Sequence, residues 1–393
     1  MEPTDVEIET MSPQELAERA REAGRFGIDT EFVSESRYRA LLGLVQVVVP
    51  LPGGGQHIEL LDPIDGGFDH EPLAGIWADP EVETVLHAGS QDVAILRRAW
   101  GKAPANIFDT QIAAGFAGFS AQSGYGNLLQ GALGVRLAKS AGFTRWDKRP
   151  LTDEQLHYAA QDVEDLLQLA DDLQRRLSES GRLEWAREEC RRLEDVTDER
   201  EPEAAYRRLP RVNQLKPRAR AVARELAAWR ERTAEHEDRP VNAVLPDVAL
   251  VEVARRQPKD LKDLEKIRGL RPDTGRRRGN QIIEVVARGR DAEPPPAEEF
   301  VRLDTDPTDG PVIALSEALV RARALAAGLA YELVASRADL QAIAAAARDG
   351  RDEPDVRTLR GWRRDLAGAE LVELLSGRRS LTVEPGHGVR VSG

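Results

Sequence analysis

Hydrophobic and polar positions change their period along the chain, and each change predicts a different architecture. Over the first hundred residues, short apolar runs alternate with helix-length segments. Residues 26–32 (FGIDTEF) read as a strand bearing acidic side chains, and Leu41–Pro50 (LLGLVQVVVP) as a β-branched apolar strand. Residues 57–61 read as a third short strand ahead of a turn at Asp62-Pro63, and residues 83–87 as another. Residues 90–100 (SQDVAILRRAW) read as a helix with Ser90 as its N-cap. Strands alternating with helices predict an α/β domain, helices packed on a sheet.

From Thr152 the period becomes helical. Thr152 and Gln155 form a capping box, and apolar residues recur through Leu156, Ala160, Val163, Leu166, Leu167 and Leu169. Helical segments continue near 184–193, and a charged connection over 195–203 leads to a second unit. That unit reads as helices over 215–233, 246–256 and 261–267, a compact bundle. Residues 291–311 (DAEPPPAEEFVRLDTDPTDGP) are acidic and proline-rich and read as an extended linker. Residues 312–381 are Ala/Leu-rich and helical, a second bundle, and the Gly-rich tail reads as disordered. The expected layout is therefore 1–200, 205–290, a linker at 291–311, 312–382, and a tail at 383–393.

Composition narrows the class. A chain of 393 residues suits two or three domains. Cys190 is the only cysteine, which excludes an intrachain disulfide and a Cys-based zinc site. The N-terminus is acidic where a signal peptide is basic and then apolar, and no run of about 18 apolar residues is present. A soluble, cytoplasmic protein without membrane contact is expected. The net charge of −13 hides a polarity: residues 205–290 carry 22 Lys/Arg against 12 Asp/Glu, a net of +10. Such a segment attracts phosphates, or its arginines simply solvate helix surfaces.

Asp29 and Glu31 lie two apart on a strand, so both point to one face. Paired carboxylates repel unless a cation sits between them, although many such pairs merely line a solvated strand. Asp92 falls in a first helical turn, where the helix dipole alone favours an aspartate. Tyr158 and Asp162 are four apart and share a helix face.

In that order the residues resemble the ribonuclease D family of DEDD exonucleases. GIDTEFVSESRYRALLGLVQ resembles its first motif, with Asp29 and Glu31 as the metal-binding pair. LHAGSQDVAIL resembles the second and implies Asp92 as the third carboxylate. HYAAQDVEDLLQL resembles the third and implies Asp162 as the fourth. FDTQIAAGFAG also resembles a family segment, but its Asp109 can equally cap a helix. ELAAWRERTAEHEDRPVNAVLPDVALVEVARRQPKDLKDLEKIRGL resembles the HRDC domain shared with RecQ-type helicases, and SRADLQAIA with LRGWRRDLAGAELVELL resembles a second one.

The resemblance implies a ribonuclease H-like mixed sheet with flanking helices, then two small helical bundles. It implies a 3′→5′ exoribonuclease acting on RNA 3′ ends, those of tRNA precursors or other structured RNA. Four carboxylates suit two hard cations, Mg²⁺ or Mn²⁺. A 3′→5′ DNA exonuclease and a non-catalytic nucleic-acid-binding protein are the competing readings, and a monomer is favoured. The family uses either Tyr-x-x-x-Asp or His-x-x-x-x-Asp, and His157 and Tyr158 offer both spacings to Asp162. At about 100° per residue, Tyr158 lies roughly 40° from Asp162 around the helix and His157 roughly 140°. Geometry favours Tyr158. Arg276, Arg277 and Arg278, read as a basic loop, are the leading phosphate contacts. On this reading the chain beyond Arg200 is a detachable RNA grip, and the nuclease should survive its deletion.

Overall fold

The computed structural model describes residues 10–137, 145–296, 306–384, 386 and 388–392. Of the linker reading over 291–311, residues 297–305 lie outside these residues. On its two sides a helix ends at Asp291 and another begins at Asp309, with residues 292–296 and 306–308 outside helix or strand as the reading expects. The tail is described in part, and it is a hairpin: strands Ser380–Glu384 and Gly388–Ser392 pair antiparallel, with Leu381 and Val391 packed on the last bundle.

The first helix, α1 (Pro13–Ala23), starts at a capping box in which Ser12 and Glu15 satisfy each other's backbone. It leads into β1 (Arg25–Val33), β2 (Leu41–Pro50) and β3 (Gln56–Leu61), an antiparallel meander. After α2 (Glu71–Trp77) come β4 (Glu83–Leu86), α3 (Ser90–Trp100), β5 (Ile107–Asp109) and α4 (Thr110–Phe116). The sheet order is β3-β2-β1-β4-β5, with β4 and β5 parallel to β1. Along β1 and β2 alternate residues take opposite sides. Phe26, Ile28, Val45 and Val47 pack with Leu16, Trp77 and Val93, whereas Val48 packs with Leu166 and Leu167 from the helices on the other face.

Two capping readings divide. Asp109 caps α4, accepting from the amides of Gln111 and Ile112. Ser90 does not cap α3. It is the first helical residue, Gly89 is the cap, and no side chain closes that end.

After α5 (Tyr125–Ala132), the expected long helix from Thr152 is two helices, α6 (Asp153–Glu164) and α7 (Leu166–Glu179), broken at Asp165. Its capping box is present, but Leu156 faces solvent. The helix α8 (Leu183–Cys190) completes the domain.

The basic unit comprises α9 (Pro217–His236), α10 (Val241–Val244), α11 (Asp247–Arg256), α12 (Leu261–Glu265) and α13 (Pro272–Asp291). Arg276, Arg277 and Arg278 therefore sit on a twenty-residue helix and not in a loop. This unit docks on the segment after β1: the Tyr38 hydroxyl donates to Glu231 at 2.8 Å, and Arg37 and Arg39 pair with Asp238 and Glu235.

The last bundle is no detachable grip. Trp362 stacks on Trp185 at 5.3 Å and meets Phe116 edge-on at 5.1 Å. One apolar cluster runs from Val48 and Val85 in the sheet through α7 to Leu319 and Leu371. Deleting the chain beyond Arg200 would strip that cover from the first domain, at about 1.5–3 kcal/mol per large side chain exposed.

Candidate active site

The carboxylates gather where β1, α3 and α6 meet. Asp29 and Glu31 lie on the α6 side of β1, because Gly27 and Val48, which share that side, pack against Leu166. The pairing of β1 with β2 shifts between Glu31 and Phe32, and such a bulge re-aims the side chain beside it. Gly43 of β2 makes room for the roof: a Cβ there would come within 2.8 Å of Trp146 Cβ and 3.1 Å of the Glu31 carbonyl. Trp146 in turn packs against Tyr158 (6.4 Å between rings). Arg149 fixes that corner by donating to the carbonyls of Trp146 (2.9 Å) and Gly43 (2.7 Å) and to Asp62 (2.6 Å).

Electrostatics binds the four acids into one group. Burial, then the charges of Asp92, Asp162 and Glu31, push the Asp29 carboxyl well above the usual range. Burial, then Asp162 and Asp92, lift Glu31 to about 8. Burial lifts Asp92 to about 6 against the hydroxyl of Thr30, which donates to it. Burial likewise lifts Asp162 to about 6, opposed by a hydrogen bond from Tyr158. Among the described residues none of the four pairs with a Lys or Arg. No three His, Cys, Asp or Glu among them already stand in a metal-holding arrangement. Asp92 is turned to Thr30 and Asp162 to Tyr158. An all-oxygen set of four acids lacking a counter-charge fits hard divalent cations.

Tyr158 is half-buried and hydrogen-bonded to Asp162, while His157 is exposed on the same helix. Burial, then the charges of Asp162, Glu31 and Asp29, raise the Tyr158 phenol above its ordinary value, so it stays protonated. Asp109 adds its charge to the rise of Asp92, but its own oxygens are taken by the amides of Ala88 and Gly89 as well as α4. The sequence reading missed Thr30 and Gln46. The one visible signal for Gln46 is that it alone is polar within Leu41–Pro50.

A 3′-5′ exonuclease family matches residues 8–178, and the HRDC domain family matches residues 219–286. Ribonuclease D of Acidiphilium cryptum is 36% identical over 90% of this chain and 88% of its own. The chain belongs to the ribonuclease D family. Ribonuclease D of Gluconacetobacter diazotrophicus is also 36% identical, over 94% of this chain and 92% of its own. The crystal structure of Escherichia coli RNase D superposes with a TM-score of 0.81 at 31% identity, covering 94% of this chain and 98% of that one. The ribonuclease D architecture, a mixed sheet with flanking helices followed by an HRDC domain, is the one found here. Exonucleases of this class work with two divalent cations. Among the described residues no helix is long and apolar enough to cross a membrane.

Proposed function

We propose that this chain removes nucleotides one at a time from RNA 3′ ends, releasing nucleoside 5′-monophosphates, with Asp29, Glu31, Asp92 and Asp162 holding two Mg²⁺ or Mn²⁺ ions. The observation that carries this reading is four mutually repelling carboxylates with no basic partner among the described residues. Held by those four carboxylates, such cations would supply Lewis-acid neutralisation of the charge that develops at a phosphodiester. Tyr158, held neutral, orients the attacking water through its hydroxyl. The E. coli relative is described as an exoribonuclease involved in structured RNA processing. By extension we take the substrate to be structured RNA such as tRNA precursors, met by a cytoplasmic monomer. Assaying RNA and DNA of equal sequence with Mn²⁺ and with EDTA tests this reading. Cleavage of DNA alone, or EDTA-insensitive binding without cleavage, would overturn it.

Tyr158→Phe is expected to slow hydrolysis by about 10²-fold, the scale of a lost positioning group. His157→Ala, on an exposed face, is expected to change it little. The reverse outcome in single-turnover kinetics would move the chain to the histidine subclass.

We read the basic unit as the RNA grip and the last bundle as a second HRDC-like unit. In support, both run from a long helix through a four-residue helix to a third: Pro217–His236, Val241–Val244, Asp247–Arg256, and Asp309–Ala326, Tyr331–Val334, Arg337–Arg348. Arg276 and Arg277 line a cleft of about 720 Å³ with Arg271, Leu261, Leu264 and Gln281. Arg276 pairs with Asp273 one turn back on its own helix and is exposed, whereas Arg278 is covered and pairs with Glu237 of another helix end (2.6 Å). Replacing Arg276 and Arg277 by Ala should weaken RNA binding and lower the salt slope by about one per phosphate contact. Arg278→Ala should leave the slope unchanged. Equal slopes for wild type and the double variant, measured by fluorescence anisotropy, would remove this cleft from the grip.

A further inference from the structure

Gln46 is out of place by every structural rule. It is 0% exposed, and neither end of its amide has a hydrogen-bond partner among the described residues. Orphaned buried amides are costly, and an apolar side chain of the same size would avoid that cost. Its neighbours on the same side of β2 are apolar: Leu44, packed with Trp146 and Ala159, and Val48, packed toward Leu166. The exception falls at one register position. Gln46 is the direct cross-strand partner of Asp29, and side chains so placed have Cβ atoms about 5 Å apart. The amide of a glutamine extends far enough beyond its Cβ to reach an aspartate carboxylate at that spacing.

We propose that Gln46 is a positioning residue for the reaction: its side-chain amide, unpartnered as the structure stands, donates to the Asp29 carboxylate when a cation is bound and so fixes which oxygen that carboxylate turns to it. This rests on the reading of Asp29 as a metal ligand. The chemistry suits the place. A carboxylate that ligates with one oxygen needs a donor on the other to hold its orientation, and groups in that role are worth about 10–100-fold in metal affinity or activity. A neutral amide supplies the donor without contributing a positive charge that would displace the cation. The backbone amide of Thr30 already gives Asp29 a hydrogen bond along its own strand. Gln46 approaches from the neighbouring strand and would lock rotation about the Cβ–Cγ bond.

The test is Gln46→Met, near in volume and without donor or acceptor, with Gln46→Leu as a second apolar replacement. Three quantities are read on full-length protein: melting temperature in EDTA, the Mn²⁺ concentration giving half of the Mn²⁺-induced rise in melting temperature, and turnover of a 3′-end RNA substrate. The expected result is a melting temperature in EDTA equal to or above wild type, about a tenfold rise in half-saturating Mn²⁺, and at least a tenfold loss of turnover. A merely structural glutamine would give the opposite pairing, a lower melting temperature with normal Mn²⁺ response and turnover per folded molecule, and that result overturns the proposal. Wild-type values throughout also overturn it. Asp29→Asn separates this failure from failure of the site reading. If wild type gains no stability from Mn²⁺, or Asp29→Asn keeps full turnover, the site reading falls and this inference falls with it.

Discussion

Asp29→Asn should reduce hydrolysis by about 10³-fold or more while leaving the cation-free protein at least as stable as wild type. The loss follows because electrostatic help from a bound cation is worth several kcal/mol of barrier, and each 1.4 kcal/mol is tenfold. Glu31→Gln, Asp92→Asn and Asp162→Asn should behave alike, since each keeps shape and removes one charge. The stability half follows from the raised carboxyls. A group whose folded pKa lies above its unfolded value contributes most below the unfolded value and loses that contribution as pH rises through the folded one. Unfolded carboxylates titrate near about 4, whereas Asp92 and Asp162 titrate here at about 6 and Glu31 at about 8. In EDTA the melting temperature should therefore fall as pH climbs from about 5 to about 8, and Mn²⁺ should flatten the slope. Scanning fluorimetry over that range decides it. A pH-independent melting temperature in EDTA, or a neutral variant that still turns over, would show that the four acids do not form one site.

How much of this the sequence disclosed depended on the distance over which each feature is determined. Asp29 and Glu31 share a face because strands alternate, and the apolar flanks Ile28 and Phe32 marked the strand. Tyr158 and Asp162 were placed by a local device, the Thr152 capping box, which sets the helix phase. The sequence reading lacks the helix α13, since it puts Arg276, Arg277 and Arg278 in a basic loop; the glycines of α13 do not break it. Gly289 is a packing contact: a Cβ there would come within 2.6 Å of the Val222 Cα, so glycine lets two helices touch. Arg278 looked like a free cation because its partner Glu237 is 41 residues away. The function of Gln46 was invisible for a related reason. One polar residue in an apolar run is a signal without an address until the β1–β2 register sets it opposite Asp29. Above all, charged residues on amphipathic helices read as surface, so the junction between the first domain and the last bundle had no sequence signature.

That junction yields the other large effect. Glu189→Gln should destabilise the full-length protein by about 3 kcal/mol or more, because it leaves a buried guanidinium without its counter-charge. Arg363 is 1% exposed in its side chain. It grips Glu189 through both terminal nitrogens, one at 2.8 Å, and its Nε donates to the Leu333 carbonyl at 2.7 Å. The Trp362 indole donates to the same carboxylate at 3.1 Å, and Arg192 approaches its other oxygen at 3.2 Å. Burial alone would raise the Glu189 carboxyl, but Arg363, Trp362 and Arg192 together hold it below its ordinary value. Its contribution is therefore present above the ordinary carboxylate range and lost as pH falls through the folded value. A buried pair is often no better than an apolar pair of the same volume, so breaking it differs from replacing it. Glu189→Leu combined with Arg363→Met should recover most of the stability that Glu189→Gln loses. Denaturant unfolding of the three proteins, with limited proteolysis to see whether the last bundle comes free, provides the check. If Glu189→Gln unfolds within about 0.5 kcal/mol of wild type, the size of an ordinary surface change, the ion pair is not what fastens the bundle. Trp362, seated between Phe116 and Trp185, would then be the anchor.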